Sequence, residues 1–309
     1  MATTRTTPTI AGVPAVDWLT VSARVGGLVL GVVCICVTAL MSLRFGSLRI
    51  STEDAWNAVF RYDAVVYEQT VVRALRVPRT IIALGVGAGL AVAGTIMQGV
   101  TRNPLAGPSI LGVSSGASFA ITTAIFYLGF TSPGQYVWFA FAGALGASAL
   151  VFTVGSAGRG GASPIKLALA GVVICALLGS WTSTLLLLDQ ETLDSVRFWL
   201  AGSVAGRDLT TFWTVAPFLL GGAFAGVFLG HQLNVLSMGD DTARALGMHL
   251  TRTRLIAAAL VVLITGAAVA VAGPIAFVGA AGGVGLVDQC QRPFLRRDRW
   301  GWRRRDPGE

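Results

Sequence analysis

The sequence predicts an all-α polytopic membrane protein, a bundle of seven or eight transmembrane helices. Hydrophobic residues make up 54% of the 309 residues and charged residues only 12%, which leaves too few charges to cover a water-soluble surface. The mean hydropathy is +0.70. Uncharged runs of about 20 residues, the length that crosses a bilayer, recur along the whole chain.

The uncharged runs predict the crossings in order. They are residues 25–43, 80–101, 104–158, 167–188, 209–238 and 255–287. The third run is too long for one crossing and is divided at Thr131-Ser132-Pro133-Gly134, which has turn chemistry. In the last run, Gly273-Pro274 predicts a seventh span that ends near Ala272 and an eighth segment that begins at Pro274. The eighth segment has roughly 14 residues before Asp288, nearer the length of a re-entrant segment than of a full crossing.

The chain divides into a polar N-terminus (1–24), a transmembrane domain (25–287) with a polar loop at 237–254, and an arginine-rich tail (288–309). The N-terminus lacks the pattern of a cleaved signal peptide. The Arg and Lys bias of the loops favours a cytoplasmic N-terminus, although it puts an external loop with six arginines at 44–79. Membrane lipid is the expected partner of the tail, with a solvated tail as the alternative, and nucleic acid is not expected.

The sequence contains no motif for an energy source or for catalysis. The single lysine, Lys166, is not part of a phosphate-binding loop. The histidines, His231 and His249, and the four cysteines match no metal or haem spacing, so we expect no metal and no cofactor. The spans carry no acidic residue well inside them, unlike those of proton-coupled carriers. We therefore expect another chain to supply the energy for any transport.

The polar loop from Ser237 to Arg254 predicts a short helix. Asp240 and Asp241 favour a helix N-terminus, the next residues continue the helix, and Gly247 is suited to end it. Such a helix would lie across the ends of the spans. It would either transmit movement from a soluble partner or serve only as an interfacial connector.

Several motifs follow one another in the order of a known family. They are Arg76-Val77-Pro78-Arg79, a Gly/Ala-rich span ending in Gln98, Thr101-Arg102-Asn103-Pro104-Leu105-Ala106, Leu111-Gly112-Val113-Ser114-Ser115-Gly116-Ala117, Arg197-Phe198-Trp199-Leu200-Ala201-Gly202-Ser203, residues 236–247 and Gly273-Pro274-Ile275-Ala276-Phe277-Val278-Gly279. Together they resemble the FecCD-type permeases of type II ABC importers, which take up iron-siderophores, haem or cobalamin. The resemblance extends over residues 25–279, about four fifths of the chain.

The resemblance implies a non-enzymatic permease subunit in the plasma (inner) membrane that moves an iron-siderophore-type chelate inward by ATP-driven alternating access. It implies three kinds of partner: a second permease subunit, identical or related, two ATP-binding subunits on the cytoplasmic face, and an extracytoplasmic substrate-binding protein. The residues it implies for coupling to the ATPase are Gly239, Asp240, Asp241, Ala243, Arg244, Leu246 and Gly247. Arg76 and Arg79 match arginines that dock the binding protein, and interfacial snorkelling is their alternative role.

The resemblance also implies a pathway or gate. Its residues would be Arg102, Asn103, Pro104, Ser114, Ser115 and Gly116, together with Ser163, Pro164 and Ile165 near the cytoplasmic gate loop of the family. A structural explanation serves the first six equally well: Asn103-Pro104 forms a turn, and the two serines satisfy backbone groups at the start of a helix.

The chain departs from the family pattern after Gly279. The family normally continues to about ten spans, whereas this chain ends in an Arg/Trp/Gly-rich stretch that suggests a shifted reading frame, a truncated gene or a divergent natural ending. Two alternatives to an importer permease follow. One is a non-functional remnant, and the other is a secondary carrier or channel that would transport without ATP.

Overall fold

The computed structural model describes residues 18–46, 48–130, 132–157 and 163–275. Within them the chain forms twelve α-helices. These are α1 (Trp18–Arg44), α2 (Thr52–Phe60), α3 (Tyr67–Val71), α4 (Val77–Thr101), α5 (Val113–Leu128), α6 (Pro133–Ser156), α7 (Pro164–Leu188), α8 (Gln190–Leu200), α9 (Leu209–Phe228), α10 (Gly230–Ser237), α11 (Asp240–Ala245) and α12 (Leu250–Ala272). A π-helical segment, Val72–Arg76, joins α3 to α4, and a 3-10 helix, Pro108–Leu111, precedes α5. The predicted all-α class is confirmed.

Six helical segments of the described chain are long and apolar enough to cross a membrane. They are Val25–Arg44, Tyr67–Thr101, Gly134–Ser156, Ile165–Leu188, Leu209–Phe228 and Leu250–Ala272. The other predicted crossing corresponds to α5, an apolar helix of 16 residues, which is about 24 Å long at 1.5 Å per residue. The eighth predicted segment begins at Pro274 and lies almost wholly outside the described residues, which end at Ile275.

The segment 44–79, predicted as an external loop, is mostly helical, and its position outside the membrane stays a prediction. The helix that contains α4 begins at Tyr67 and continues for 35 residues. Its π-helical segment has a local cause in Pro78. Proline has no N–H and its ring collides with the carbonyl group four residues earlier, and a wider π turn just before it accommodates the ring. In that turn, the amide of Val77 donates to the carbonyl of Val72, five residues back.

The uncharged run at 209–238, predicted as one span, is divided between α9 and α10. The amide of Leu229 donates to the carbonyls of Gly226 and Val227, which tightens the last turn of α9 and ends it. Two other predicted boundaries are confirmed. α12 ends at Ala272, where Gly273 has a positive φ of 79°, and the long run at 104–158 is interrupted between Leu128 and Pro133.

α12 lies at the centre of the bundle. It packs against α4, α6 and α9, while α5, α6 and α7 form a neighbouring group in which each helix contacts the other two. Every residue of α12 from Ile264 to Ala272 is buried. α1 is the opposite case, since its side chains from Val25 to Thr38 are all exposed. The core of the bundle therefore consists of the helices from α4 onward.

α5 and α6 cross in direct backbone contact. A Cβ atom placed on Gly116 would collide with the carbonyl oxygen of Gly143, and a Cβ atom on Gly143 would collide with that of Gly116. Small residues allow this approach between membrane helices, where lipid tails are as apolar as the side chains and close packing provides much of the attraction. The two glycines fix the distance between α5 and α6.

We predict that Gly143→Ala destabilises the protein by about 1–3 kcal/mol, the usual cost of forcing extra volume into a packed core. Its added methyl group must push α5 away from α6. Gly146→Ala is the matched control. Gly146 is also in α6, and a Cβ atom placed on it would have no atom of another residue within 4 Å. Thermal unfolding in detergent measures both variants, and equal stability of the two would contradict the proposed contact.

Candidate functional site

Arg102 joins the end of α4 to the polar segment around α11. It follows the last residue of α4 in a left-handed conformation, with φ 53°. Its Nε donates to the carbonyl oxygen of Leu236 at 2.8 Å, and its Nη2 donates to the carboxylate of Asp240. Arg254, in the second turn of α12, donates from Nη2 to both carboxylate oxygens of Asp240 at 3.0 Å. Arg102 after the end of α4, Asp240 at the start of α11 and Arg254 in α12 thus form one ionic network, Arg102–Asp240–Arg254.

The network is partly shielded from solvent. The side chain of Arg254 is 12% exposed, and those of Asp240 and Arg102 are 31% and 35% exposed. Burial raises the pKa of the Asp240 carboxyl, but hydrogen bonds from Arg102 and Arg254 and the positive charges of both arginines outweigh burial and hold that pKa below its usual value. The carboxylate is therefore ionised at neutral pH, and it lies between the two guanidinium groups.

The predicted short helix is confirmed as α11, which has a buried side and an exposed side. Ala243 is fully buried, whereas Leu246, which follows the helix, is 64% exposed. Asp241 and Arg244 form an exposed ion pair at 3.1 Å. Gly239 and Gly247 flank the helix with φ of 118° and 80°, values that favour glycine.

An open groove of about 740 Å³ adjoins α11 at the start of α12. It is lined by Arg244, Met248, His249, Leu250, Thr251, Arg252 and Leu255. The lining combines apolar side chains with two arginines, and because it includes Arg244 of α11, the groove adjoins the exposed side of that helix.

The predicted turn at Asn103-Pro104 is confirmed. The side-chain oxygen of Asn103 accepts from the amide of Leu105 at 2.9 Å, as in an Asx turn. From inside the bundle, the buried Gln98 donates from Nε2 to the carbonyl of Pro104 at 2.8 Å. The turn that follows Arg102 is therefore fixed both locally and from α4.

The prediction that Ser114 and Ser115 cap the start of α5 is wrong. No side chain caps this helix, which instead begins directly after Gly112 in a left-handed conformation at the end of the 3-10 helix. Gly116 lies in the contact between α5 and α6 described above. The role of these three residues in a pathway stays a prediction.

Ser163, Pro164 and Ile165 form the start of α7. The Oγ atom of Ser163 accepts from the amide of Lys166 at 3.4 Å and caps the helix, and the side chain of Ile165 is 74% exposed. The preceding residues, 158–162, lie outside the described part of the chain. A gate at this position stays a prediction.

Arg76 and Arg79 lie at the opposite end of α4 and are bonded to the end of α1. Arg76 is only 5% exposed, and it donates to the carbonyls of Leu43 at 2.9 Å, Arg44 and Leu48. Arg79 donates to the carbonyl of Ser42 at 2.9 Å. Helix ends leave such carbonyls without an intrahelical partner, and the two arginines supply it.

The comparisons with known proteins agree with this architecture. The FecCD transport family matches residues 34–282. The chain belongs to the FecCD transport family. Three similar relatives are the probable siderophore transport system permease protein YfiZ and the iron(3+)-hydroxamate import system permease protein FhuB of Bacillus subtilis, and the ferric enterobactin transport system permease protein FepD of Escherichia coli.

Their sequence identities are 40%, 41% and 46%, over 77%, 82% and 68% of this chain. The matched regions make up 71%, 65% and 63% of the three relatives, so this FecCD chain spans about two thirds of their length. A solved structure of a metal-chelate type ABC transporter in an inward-facing conformation is 30% identical, with a TM-score of 0.65 over 88% of this chain and 79% of that one. The fold is that of an ABC-transporter permease.

The Arg102–Asp240–Arg254 network was not predicted as a unit for this FecCD chain. The sequence assigned Arg102 to a pathway and Asp240 to coupling, and it assigned Arg254 to no site. The sequence did contain a signal for this pairing, because successive spans cross the membrane in alternating directions. The end of α4 and the start of α12 belong to the same membrane face, so opposite charges there are candidates for pairing.

Docking of a binding protein by Arg76 and Arg79 stays a prediction. The structure adds a condition, because Arg76 would have to give up its hydrogen bonds to α1 before it met a partner. Arg73, by contrast, is exposed, and its guanidinium lies 4.4 Å from the centre of the Tyr62 ring.

We predict that Arg76→Gln loosens the end of α1, since it leaves carbonyls around Arg44 without their donor at about 1–3 kcal/mol for each unsatisfied group. Hydrogen exchange at residues 43–50 should become at least tenfold faster. Arg73→Gln is the control and should leave exchange there unchanged. Unchanged exchange in Arg76→Gln would show that the arginine does not hold α1.

Proposed function

We propose that this chain is the permease subunit of an ABC importer that moves an iron chelate of the siderophore type into the cytoplasm by ATP-driven alternating access. The observation that carries this proposal is the family match, which covers residues 34–282 and therefore nearly all of the described bundle. The relatives belong by name to siderophore, hydroxamate and enterobactin systems, which supports the substrate class.

The proposed assembly contains a second permease subunit, two ATP-binding subunits and an extracytoplasmic binding protein in the plasma membrane. With the N-terminus in the cytoplasm, the spans alternate so that Arg102, α11 and the start of α12 face the cytoplasm. Arg76, Arg79 and α8 then face outward. In this orientation the ATP-binding subunits contact the cytoplasmic face of the bundle, and the binding protein delivers the substrate to the opposite face.

The exposed side of α11 and the adjoining groove form the proposed contact for the ATP-binding subunit. Asp241, Arg244 and Leu246 are exposed there, and the buried Ala243 fixes the helix against the bundle. A helix seated in this way is able to pass on a push from a soluble partner, because it is backed by packed spans.

Uptake into vesicles tests the proposal. The full chain is reconstituted with its candidate partner permease, ATP-binding subunit and binding protein, and accumulation of a radiolabelled ferric siderophore is followed with ATP and with a non-hydrolysable ATP analogue. We expect accumulation only with ATP. Uptake that depends on an ion gradient and not on ATP would instead identify a secondary carrier. Absence of uptake of every ferric chelate tested would contradict the proposed function.

We predict that Leu246→Asp lowers copurification of the ATP-binding subunit by at least tenfold, which corresponds to about 1.4 kcal/mol of binding free energy. The substitution puts a charge at an exposed apolar position of the proposed contact. Val65→Asp is the control, since Val65 is 90% exposed in the loop before α3. Equal copurification by both variants would place the contact elsewhere.

A further inference from the structure

The Arg102–Asp240–Arg254 network differs from an ordinary surface ion pair in what it joins. Oδ1 of Asp240 accepts from both arginines, and Oδ2 accepts from Arg254. Arg102 also donates to the carbonyl of Leu236 at the end of α10. One carboxylate at the first residue of α11 is therefore bonded to the end of α4 and the start of α12, and the same guanidinium fixes α10.

The two helices that hold Asp240 belong to the core of the bundle. α4 and α12 pack against each other, and both pack against α9. α11 has only six residues, and its main helix contacts are with its chain neighbours α10 and α12. The ionic network supplies α11 with its connection to α4, which is distant in sequence.

The backbone at Arg102 is adapted to this connection. Among the described residues, Arg102 is the one non-glycine residue with a positive φ, a conformation that β-carbon-bearing residues adopt infrequently. A glycine would adopt it more readily but would lack the guanidinium group. The Arg102 side chain, which bonds Leu236 and Asp240, therefore occupies a position where the backbone conformation alone favours glycine.

A second ion pair on the same helix shows the contrast. Asp241 and Arg244 pair across one turn, with side chains that are 102% and 62% exposed, and exposed pairs of this kind contribute little. This ion pair lies within α11 itself. The two adjacent aspartates thus have different environments: Asp240 faces the bundle and Asp241 faces outward.

We infer that Asp240 is a positioning residue for coupling, and that with Arg102 and Arg254 it passes the displacement of α11 to α4 and α12. This inference rests on the proposed function, in which an ATP-binding subunit moves α11. When α11 is pushed, the carboxylate carries both arginines with it and the two core helices follow. Neutral Asp240 would leave two positive guanidinium groups facing each other without the anion that joins them, so α11 would move without the core.

Uptake per ATP hydrolysed, measured in the reconstituted full assembly, tests the inference. In Asp240→Asn we expect the ATP-binding subunit to remain bound and ATP hydrolysis to continue within about twofold, while uptake per ATP falls at least tenfold. Asp240→Glu, which retains the anion, should restore at least half of the original ratio. A merely structural role would lower assembly or hydrolysis and uptake together, and would leave their ratio unchanged.

Asp194→Asn is the control, because Asp194 forms an exposed ion pair with Arg197 inside a single helix, α8, at the other end of the bundle. It should leave uptake per ATP unchanged. If Asp240→Asn fails to assemble, Arg102→Gln decides the question: it leaves the carboxylate with Arg254 but removes the bond to α4, and we expect the same fall in ratio. An unchanged ratio in the assembled variant would overturn the inference.

Failure of the inference and failure of the proposed function give different results. If the unaltered assembly shows no ATP-dependent uptake, the proposed function fails. If it shows uptake and the Asp240 and Arg102 variants retain the same uptake per ATP, only the inference fails. Hydrogen exchange on the isolated chain independently tests whether the ionic network attaches α11 to the bundle. Asp240→Asn should accelerate exchange at residues 240–247 at least tenfold relative to Asp194→Asn, and equal exchange would contradict a fixed α11.

Discussion

The need to satisfy backbone polar groups away from water governs how this bundle is fastened. A carbonyl that is shielded from water and left unpaired costs about 1–3 kcal/mol, and each helix ends with carbonyls that have no intrahelical partner. At the end of α1, Arg76 and Arg79 meet this need. At the end of α10, Arg102 adds a further donor to the carbonyl of Leu236, which also accepts from the amide of Gly239 at 3.3 Å. Arginine suits both places because its planar group carries five N–H donors and reaches several acceptors at once.

Close backbone approach is the second way in which the helices are joined. Gly116 and Gly143 bring α5 and α6 together, and Gly273 comes so near the carbonyl of Trp199 that a Cβ atom there would collide with it. The amide of Ser203 also donates to the carbonyl of Ala272 at 2.8 Å. Two motifs that carried the family resemblance, one around Trp199 and one beginning at Gly273, are therefore neighbours in space. In this chain the two motifs share one packing contact.

The sequence predicted those features that depend on local signals. Uncharged length located the spans, and the acids and glycine around residues 240–247 located α11. It failed where a distant group decided the outcome. Arg76 looked like a charge in an exposed loop, because two of its acceptors, the carbonyls of Leu43 and Arg44, belong to α1. Arg102 and Asp240 are 138 positions apart, and only the alternation of the spans brings them to one membrane face. Ser114 and Ser115 had capping chemistry, but the left-handed turn at Gly112 starts the helix without them.

The short length of α11 explains why this helix is suited to coupling. A helix of six residues gains little from its own hydrogen bonds, because nucleation fixes several residues for each bond formed. Its stability has to come from attachment, and the structure attaches it at one end through Asp240 and along one side through Ala243. Its other side, with Asp241, Arg244 and Leu246, remains exposed. A force applied to that exposed side is transmitted to the core through the attachments that keep the helix folded, so stability and coupling depend on the same contacts.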